Sequence, residues 1–326
     1  MAIIAGLVPE NYQRSVIHGD QRTWIETNCY VDVLVELIHA LGFDPIAGLA
    51  FTVSVDFECD QWTFFKYPPA DLLALYGFDV QELNPWNDLA EHTETQVRAG
   101  RPVLVELDSY FLPDTAGSSY QIEHVKSTVA VNEIDLSAGH MGYFHGQGYY
   151  HVDGDDFQQL FHRLEKPDPR VLPPYIELVK LRRSSNDLSE SELLALSIDS
   201  LTRQVSLIPS KNPFEKFIKT FRHDLDWLLE SDIATFHRYS FATLRQYGAC
   251  FELASTYMNW LVERGVTTLS QCADSYQEIS THAKTLQFKL ARAIARKKDI
   301  DFSPLHQMSE SWQTAADLLK THYSTP

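Results

Sequence analysis

Thr27-Asn28-Cys29-Tyr30-Val31-Asp32-Val33-Leu34-Val35-Glu36-Leu37-Ile38-His39-Ala40-Leu41-Gly42 is the stretch on which the reading of this chain turns. Thr27 and Asn28 both carry a side-chain oxygen suited to capping a helix N-terminus. Tyr30, Leu34, Leu37, Ile38 and Leu41 then recur at helical spacing until Gly42. Cys29 falls in the first turn, where the positive end of the helix dipole and unpaired backbone N–H groups favour the thiolate. A nucleophilic thiolate needs a base. His124 is the candidate, because it opens the β-like run His124-Val125-Lys126-Ser127-Thr128-Val129-Ala130-Val131. The competing reading of Cys29 is inert packing at a helix start.

Composition sets the bounds. The chain has 326 residues, 44% hydrophobic and 22% charged, ordinary for a soluble globular protein of one large domain or two modest ones. No apolar run approaches a membrane span, and Met1-Ala2-Ile3-Ile4-Ala5-Gly6 lacks the features of a signal peptide, so a cytoplasmic location is expected. Cys29, Cys59, Cys250 and Cys272 are scattered without a CxxC pair, which predicts reduced thiols and no structural zinc. A net charge of −17 repels nucleic acid and anionic membrane, so neither is expected as a partner. From Ser280 to Lys298 there is no Asp or Glu, while Lys284, Lys289, Arg292, Arg296, Lys297 and Lys298 accumulate. The basic 284–298 helix is a candidate docking surface for an acidic partner, or a solvated helix face.

The first half mixes helix and strand signals. After the Cys29 helix comes an alternating stretch from Leu49 to Phe57, then Gln61-Trp62-Thr63-Phe64-Phe65 and a short helix from Pro68-Pro69 to Gly77. A further helix is predicted over Asn87–Ala99, closed by Gly100. Val103-Leu104-Val105-Glu106-Leu107-Asp108 reads as a largely buried strand. The His124 strand, Gly142-Tyr143-Phe144-His145 and Tyr149-Tyr150-His151-Val152, with Gly146-Gln147-Gly148 as a turn, suggest antiparallel hairpins. Beyond the proline-rich segment 166–174, helical periodicity dominates, as in Phe214-Phe217-Ile218-Phe221-Leu225-Leu228. The expected architecture is α+β over 1–178, followed by an all-α helical bundle over 179–326.

Around Cys29 and His124 a third residue is needed to fix the imidazole. Asp135, His145 and Asp108 are the candidates, and spacing does not choose among them. Glu58 and Asp60, beside the aromatic run at Trp62, form a candidate cradle for the ammonium of an aminoacyl group, or a structural loop. Arg182-Arg183 and Arg245 are possible phosphate contacts. His140, His145, His151 and Asp153 invite a metal reading, but the spacings of five and six do not match a helical ligand pair and no bound metal is expected.

The succession of the Cys29 helix, Pro102-Val103-Leu104-Val105-Glu106-Leu107-Asp108-Ser109-Tyr110-Phe111-Leu112-Pro113, Glu123-His124-Val125 and Val129-Ala130-Val131-Asn132-Glu133-Ile134-Asp135 resembles the butirosin-biosynthesis BtrH-like acyltransferases over the first half. Over essentially the whole chain the sequence is similar to the bacterial DUF1839 family, found beside amino-acid:carrier-protein ligases. Asp60-Gln61-Trp62-Thr63-Phe64-Phe65 and Gly248-Ala249-Cys250-Phe251-Glu252-Leu253 belong to that likeness. The resemblance implies a papain-like fold in the first half, with Cys29 as nucleophile and His124 as base. It implies transfer of an aminoacyl or acyl group from a carrier-protein phosphopantetheine thioester to a small amine or hydroxyl acceptor, with no cofactor held permanently. Papain-like enzymes place Asn or Asp on the strand after the His strand, where this chain offers His145. Gln21 lies eight positions before Cys29, so the backbone N–H of Cys29 is the expected oxyanion donor. Asn28, Glu58, Asp60, Trp62, Asp108 and Tyr110 are the expected substrate contacts. A cysteine hydrolase with the same Cys/His pair and a non-catalytic binding module are the other two readings.

Overall fold

A computed structural model of the chain describes residues 2–164, 172–296 and 300–323. In chain order the elements begin with α1 (Cys29–Ala40), the small hairpin β1 (Phe57–Glu58) and β2 (Gln61–Trp62), α2 (Pro69–Tyr76), β3 (Phe78–Glu82), α3 (Leu89–Arg98) and β4 (Val103–Asp108). Next come β5 (Lys126–Asp135), β6 (His140–His145), β7 (Gly148–Asp153), α4 (Gly154–Leu160) and β8 (Ile176–Leu181). Among the described residues, six α-helices follow: α5 (Glu190–Val205), α6 (Pro213–Glu230), α7 (Ile233–Ser240), α8 (Gln246–Glu263), α9 (Ser270–Arg296) and α10 (Ser303–Tyr323). The class is α+β. No helix among the described residues is long and apolar enough to cross a membrane.

These elements form two compact units, neither of them a continuous segment. The α+β unit combines Met1–Gly19, Asn28–Pro45 and Pro69–Asp187; the helical unit combines Asp20–Thr27, Ile46–Pro68 and Leu188–Pro326. The proline-rich segment read from the sequence lies, over 166–171, outside the described residues.

In the α+β unit the six-stranded sheet runs β3-β8-β4-β5-β6-β7, every neighbouring pair antiparallel. Alternation along the strands sends Val105, Leu107, Val129, Val131, Met141, Tyr143 and Val152 to one face, where they pack with Ala90 and Val97 of α3 and Phe157 and Leu160 of α4. α1 lies against β5 and β6 on the other face. A bulge between Val131 and Glu133 shifts the β5–β6 register by one residue.

α1 is buried along Val31–Ile38 without a break, so its two acids, Asp32 and Glu36, are buried as well. Burying two carboxylates one turn apart is tolerable only with a partner. That partner is His18, fully buried, whose Nε2 lies 3.2 Å from Asp32 Oδ1 and whose Nδ1 meets Glu36 Oε1. Tyr12 Oη donates to Glu36 Oε2 at 2.5 Å, and the Ser15 N–H adds a further bond at 3.1 Å. Burial alone would lower the His18 pKa; the hydrogen bonds and charges of Asp32 and Glu36 overcome it and push it up to about 9.

In the helical unit, the Gly248-to-Leu253 motif turns out to be a docking device for the segment 20–27. The carboxylate of Glu252 accepts the backbone N–H groups of Thr23 (2.8 Å) and Trp24 (2.9 Å), and Trp24 Nε1 donates to Ser280 Oγ at 3.0 Å. Gly248 makes room for the indole: a Cβ there would sit 2.7 Å from Trp24 Cζ2 and 2.9 Å from Ala283 Cβ. Cys250 is buried behind it, with Sγ 3.5 Å from the Thr52 carbonyl oxygen.

Two outcomes are expected from these contacts. Replacing His18 with Gln leaves two buried carboxylates short of a cation and should cost about 3–5 kcal/mol in denaturant unfolding at pH 7. Because the folded-state pKa of His18 is raised, its contribution in the wild type is fully present below pH 6.5 and is lost as pH rises through about 9. His18→Gln should lack that component of the stability profile. Separately, Gly248→Ala should lower unfolding free energy by about 1–3 kcal/mol through overpacking, read by thermal melting.

Candidate active site

Cys29 is the first residue of α1, and Asn28 is its N-cap: extended backbone (φ −137°, ψ 153°), with Oδ1 accepting the Val31 N–H at 3.0 Å. Asn28 Oδ1 thus holds the helix end. The Cys29 thiol is free and half-buried, with Sγ 3.5 Å from Thr128 Oγ1 on β5. One residue on, Tyr30 donates to Glu177 Oε2 of β8 at 2.8 Å, and Tyr175 donates to the other oxygen of the same carboxylate at 2.6 Å. Burial, followed by the Glu177 charge, pushes the Tyr30 phenol well up, so it stays protonated as a donor.

Strand alternation places Glu106, Asp108, Lys126 and Thr128 on the sheet face that Cys29 meets. Lys126 Nζ and Glu106 pair across the strands at 2.7 Å. At the end of the row, His124 Nδ1 lies 2.6 Å from Asp108 Oδ2, while Asp108 Oδ1 accepts the Tyr110 N–H at 3.0 Å. The imidazole stacks on Tyr110, with ring centroids 4.3 Å apart and planes 12° apart, and meets the edge of Phe111. Its side chain is 67% exposed. Asp108 thus holds Nδ1 and leaves Nε2 unbonded, the arrangement of a carboxylate-oriented base. No hydrogen bond joins His124 to Cys29; the sulfur's partner is Thr128, four residues farther along the chain.

The other two candidates for a third catalytic residue serve elsewhere. Asp135 Oδ1 accepts the N–H groups of Ser137 (2.9 Å) and Ala138 (3.0 Å) and the Ser137 hydroxyl (2.6 Å). It staples the β5–β6 turn, and the Ser137 hydroxyl and Ala138 N–H hold its carboxyl below the usual carboxylate range. His145 lies on the opposite sheet face, where Nδ1 is 2.6 Å from Asp114 Oδ2 and Nε2 is 2.6 Å from Ser127 Oγ. Tyr143 Oη donates to the remaining Asp114 oxygen. Ser127 neighbours Thr128 on β5, so alternation separates the two clusters by the thickness of the sheet. Asp114 and Ser127 carry no local motif; only the β5–β6 pairing brings Ser127 to His145.

Glu58, Asp60 and Trp62 belong to the helical unit, not to the unit that holds Cys29. Glu58 and Asp60 are exposed on the β1–β2 hairpin, whose turn residue Cys59 has a φ of 57°. Trp62 is buried among Phe57, Phe214, Phe217 and Tyr247. Its ring packs into the aromatic core of the helical unit. The arginines singled out as phosphate contacts are engaged as well. Arg182 pairs with Asp79 at 2.8 Å, Arg183 donates to the Ala74 carbonyl near the end of α2 at 2.8 Å, and Arg245 lies 3.6 Å from Glu26. On the basic helix, Lys284 sits over the Trp24 ring (4.2 Å) and Lys289 pairs with Asp301 (2.9 Å). Arg292 and Arg296 are exposed, and Lys297 and Lys298 lie outside the described residues.

The α+β unit thus defines a class of protein: an antiparallel sheet capped by a helix whose first residue is a free cysteine, with a carboxylate–histidine pair on the same sheet face. Sequence comparison gives the family. Residues 13–181 match the DUF1839 N-terminal domain and residues 190–321 the DUF1839 C-terminal domain. The chain belongs to the DUF1839 family. A search of curated proteins finds no match.

The thiols should separate cleanly by labelling. Burial raises the Cys250 thiol well above its ordinary value and pushes Cys272 up to about 12. With an alkylating reagent at pH 7.5, intact mass and peptide mapping should find Cys29 and exposed Cys59 modified, and Cys250 and Cys272 modified only after denaturation.

Proposed function

We propose that the α+β unit is a papain-like thiol acyltransferase that moves an aminoacyl or acyl group from a carrier-protein phosphopantetheine thioester to a small amine or hydroxyl acceptor. The observation that carries this reading is the placement of a free, half-buried Cys29 at a helix N-terminus, on the sheet face where Asp108 orients His124. The Cys29 thiolate attacks the thioester carbonyl carbon, and backbone N–H groups of the first turn of α1 hold the oxyanion. Collapse breaks the carbon–sulfur bond to phosphopantetheine, whose thiolate takes a proton from the His124 imidazolium. The acceptor then attacks the acyl-enzyme, His124 removes its proton, and the Cys29 thiolate leaves. Exposed His124 reaches the reacting atoms when the segment ahead of β5 closes on bound substrate, since apo geometry commonly tightens only in the substrate complex. The donor arm arrives on the partner protein, so the enzyme holds no cofactor of its own. Arg292 and Arg296 are the cations of α9 available for an acidic carrier, and such docking would weaken with salt.

One observation favours a second reading. The hydrogen-bond partner of Cys29 is a threonine hydroxyl, which does not serve as a base. A binding module for a carrier protein or small molecule on the same scaffold would have that arrangement.

The two readings diverge in intact-protein mass spectrometry after incubation with aminoacyl-phosphopantetheine thioesters. For the enzyme, the wild type gains the acyl mass, Cys29→Ala gains none, and turnover in His124→Ala falls about 10²–10⁴-fold. Candidate amines then separate transfer from hydrolysis. Folded wild-type protein that neither gains mass nor consumes any donor sinks the acyl-enzyme and leaves the binding module.

A further inference from the structure

The bulge in β5 has a chemical consequence. Regular alternation would send Glu133 to the apolar face with Val129 and Val131, whereas the extra residue turns it to the other face. There it lines up with two histidines. Glu133 on β5 pairs with Gly142 on β6, and Gly142 pairs with His151 on β7. His140 stands two residues from Gly142 on the same face of β6. The middle of this row has no side chain and has no room for one: a Cβ on Gly142 would sit 2.2 Å from Tyr149 Oη and 3.2 Å from His151 Cδ2.

The side chains close over that glycine. One ligand atom each from Glu133, His140 and His151 lies within 4.8 Å of the other two. The histidine rings meet edge to face with centroids 4.8 Å apart. Asp153 Oδ1 takes His140 Nδ1 at 2.5 Å, which leaves Nε2 as the ring nitrogen with a free lone pair. A carboxylate behind the non-ligating nitrogen is the usual support of a metal-bound histidine.

We propose that Glu133, His140 and His151 bind one divalent transition-metal ion, with Asp153 as a positioning residue for His140. Two imidazoles and one carboxylate suit zinc, cobalt or ferrous iron rather than calcium or magnesium, which take all-oxygen sites. Around zinc at about 2.0–2.1 Å the ligand atoms stand about 3.3 Å apart, so binding needs a rotamer adjustment of roughly an ångström or more. Glu133 and His140 are half-buried and His151 is exposed on the edge strand β7, so at least one coordination position faces solvent. Sequence spacing alone groups His145 with these residues, but it points through the sheet to Asp114; Glu133 takes its place by way of the bulge.

The test uses tag-free, chelator-treated full-length protein carrying Cys29→Ser and Cys59→Ser, so that surface thiols cannot ligate. Calorimetric titration with zinc should give one site, and cobalt should give a d–d spectrum without a sulfur charge-transfer band. His140→Ala, His151→Ala and Glu133→Gln should each weaken zinc by at least 100-fold, and Asp153→Asn by about 10–100-fold, with circular dichroism unchanged. His151→Ala is the cleanest variant because the side chain is exposed. No saturable zinc site in the parent protein, or full affinity in His151→Ala and His140→Ala, overturns the proposal.

Discussion

The buried ion cluster Asp32–His18–Glu36 is the constraint around which the α+β unit is organised. α1 is enclosed on all sides, an environment that would expel two carboxylates unless a cation came with them. His18 supplies it from a segment that precedes the helix, so the N-terminal stretch must wrap back along α1, with Tyr12 and Ser15 completing the coordination of Glu36. Enclosure of α1 in turn fixes where its first residue lies. Cys29 stands at Thr128 because the helix behind it is held by a polar cluster whose geometry tolerates little sliding or rotation.

β5 then divides the chemistry of the unit. Its alternation sends Thr128 towards Cys29 and Ser127 towards His145, so two residues adjacent in the chain serve clusters separated by the sheet. The bulge at Asn132 resets the phase, which lets the same strand contribute Ile134 to the apolar face and Glu133 to the other. A one-residue irregularity thereby decides which side chains a histidine pair can meet.

Local signals were legible where they were local. The Asn28 cap, the helix at Cys29, the buried strand Val103–Asp108 and the hairpin around Gly146–Gly148 were all readable from spacing, and α3 falls inside the predicted Asn87–Ala99. The Leu49–Phe57 alternation folded instead as a 3-10 segment through Ser54, because apolar side chains needed on several sides override a two-residue period. The interleaving of the two units was not legible: Trp62 reads as an aromatic beside two acids until Phe214, Phe217 and Tyr247 are brought to it from far along the chain. Asp114 and Glu133 carry no local signal for the same reason. Periodicity assigns a residue to a face, but cross-strand register names its neighbours. The Asp108–His124 pair was half-visible, since the end of one strand and the approach to the next, antiparallel one must lie side by side.

Of the histidines in this unit that are held by carboxylates, His145 and His124 differ most instructively in exposure, and so in what their rings are free to do. His145 and Asp114 are 11% and 5% exposed, and every ring nitrogen and carboxylate oxygen there is taken by Ser127, Tyr143 or the His–Asp bond itself. Such a closed chain gains from being satisfied and static, and moving a proton out of it would strand a buried polar group. It ties the Pro113–Thr115 turn to β5 and β6. His124 is 67% exposed, with one nitrogen held and the other free, and its aromatic stacking limits rotation without enclosing it. A general base must exchange its proton with a visiting group, so an open nitrogen on an oriented ring is the requirement. His124 meets that requirement and His145 does not, although the hydrogen-bond geometry of His145 looks the more complete of the two.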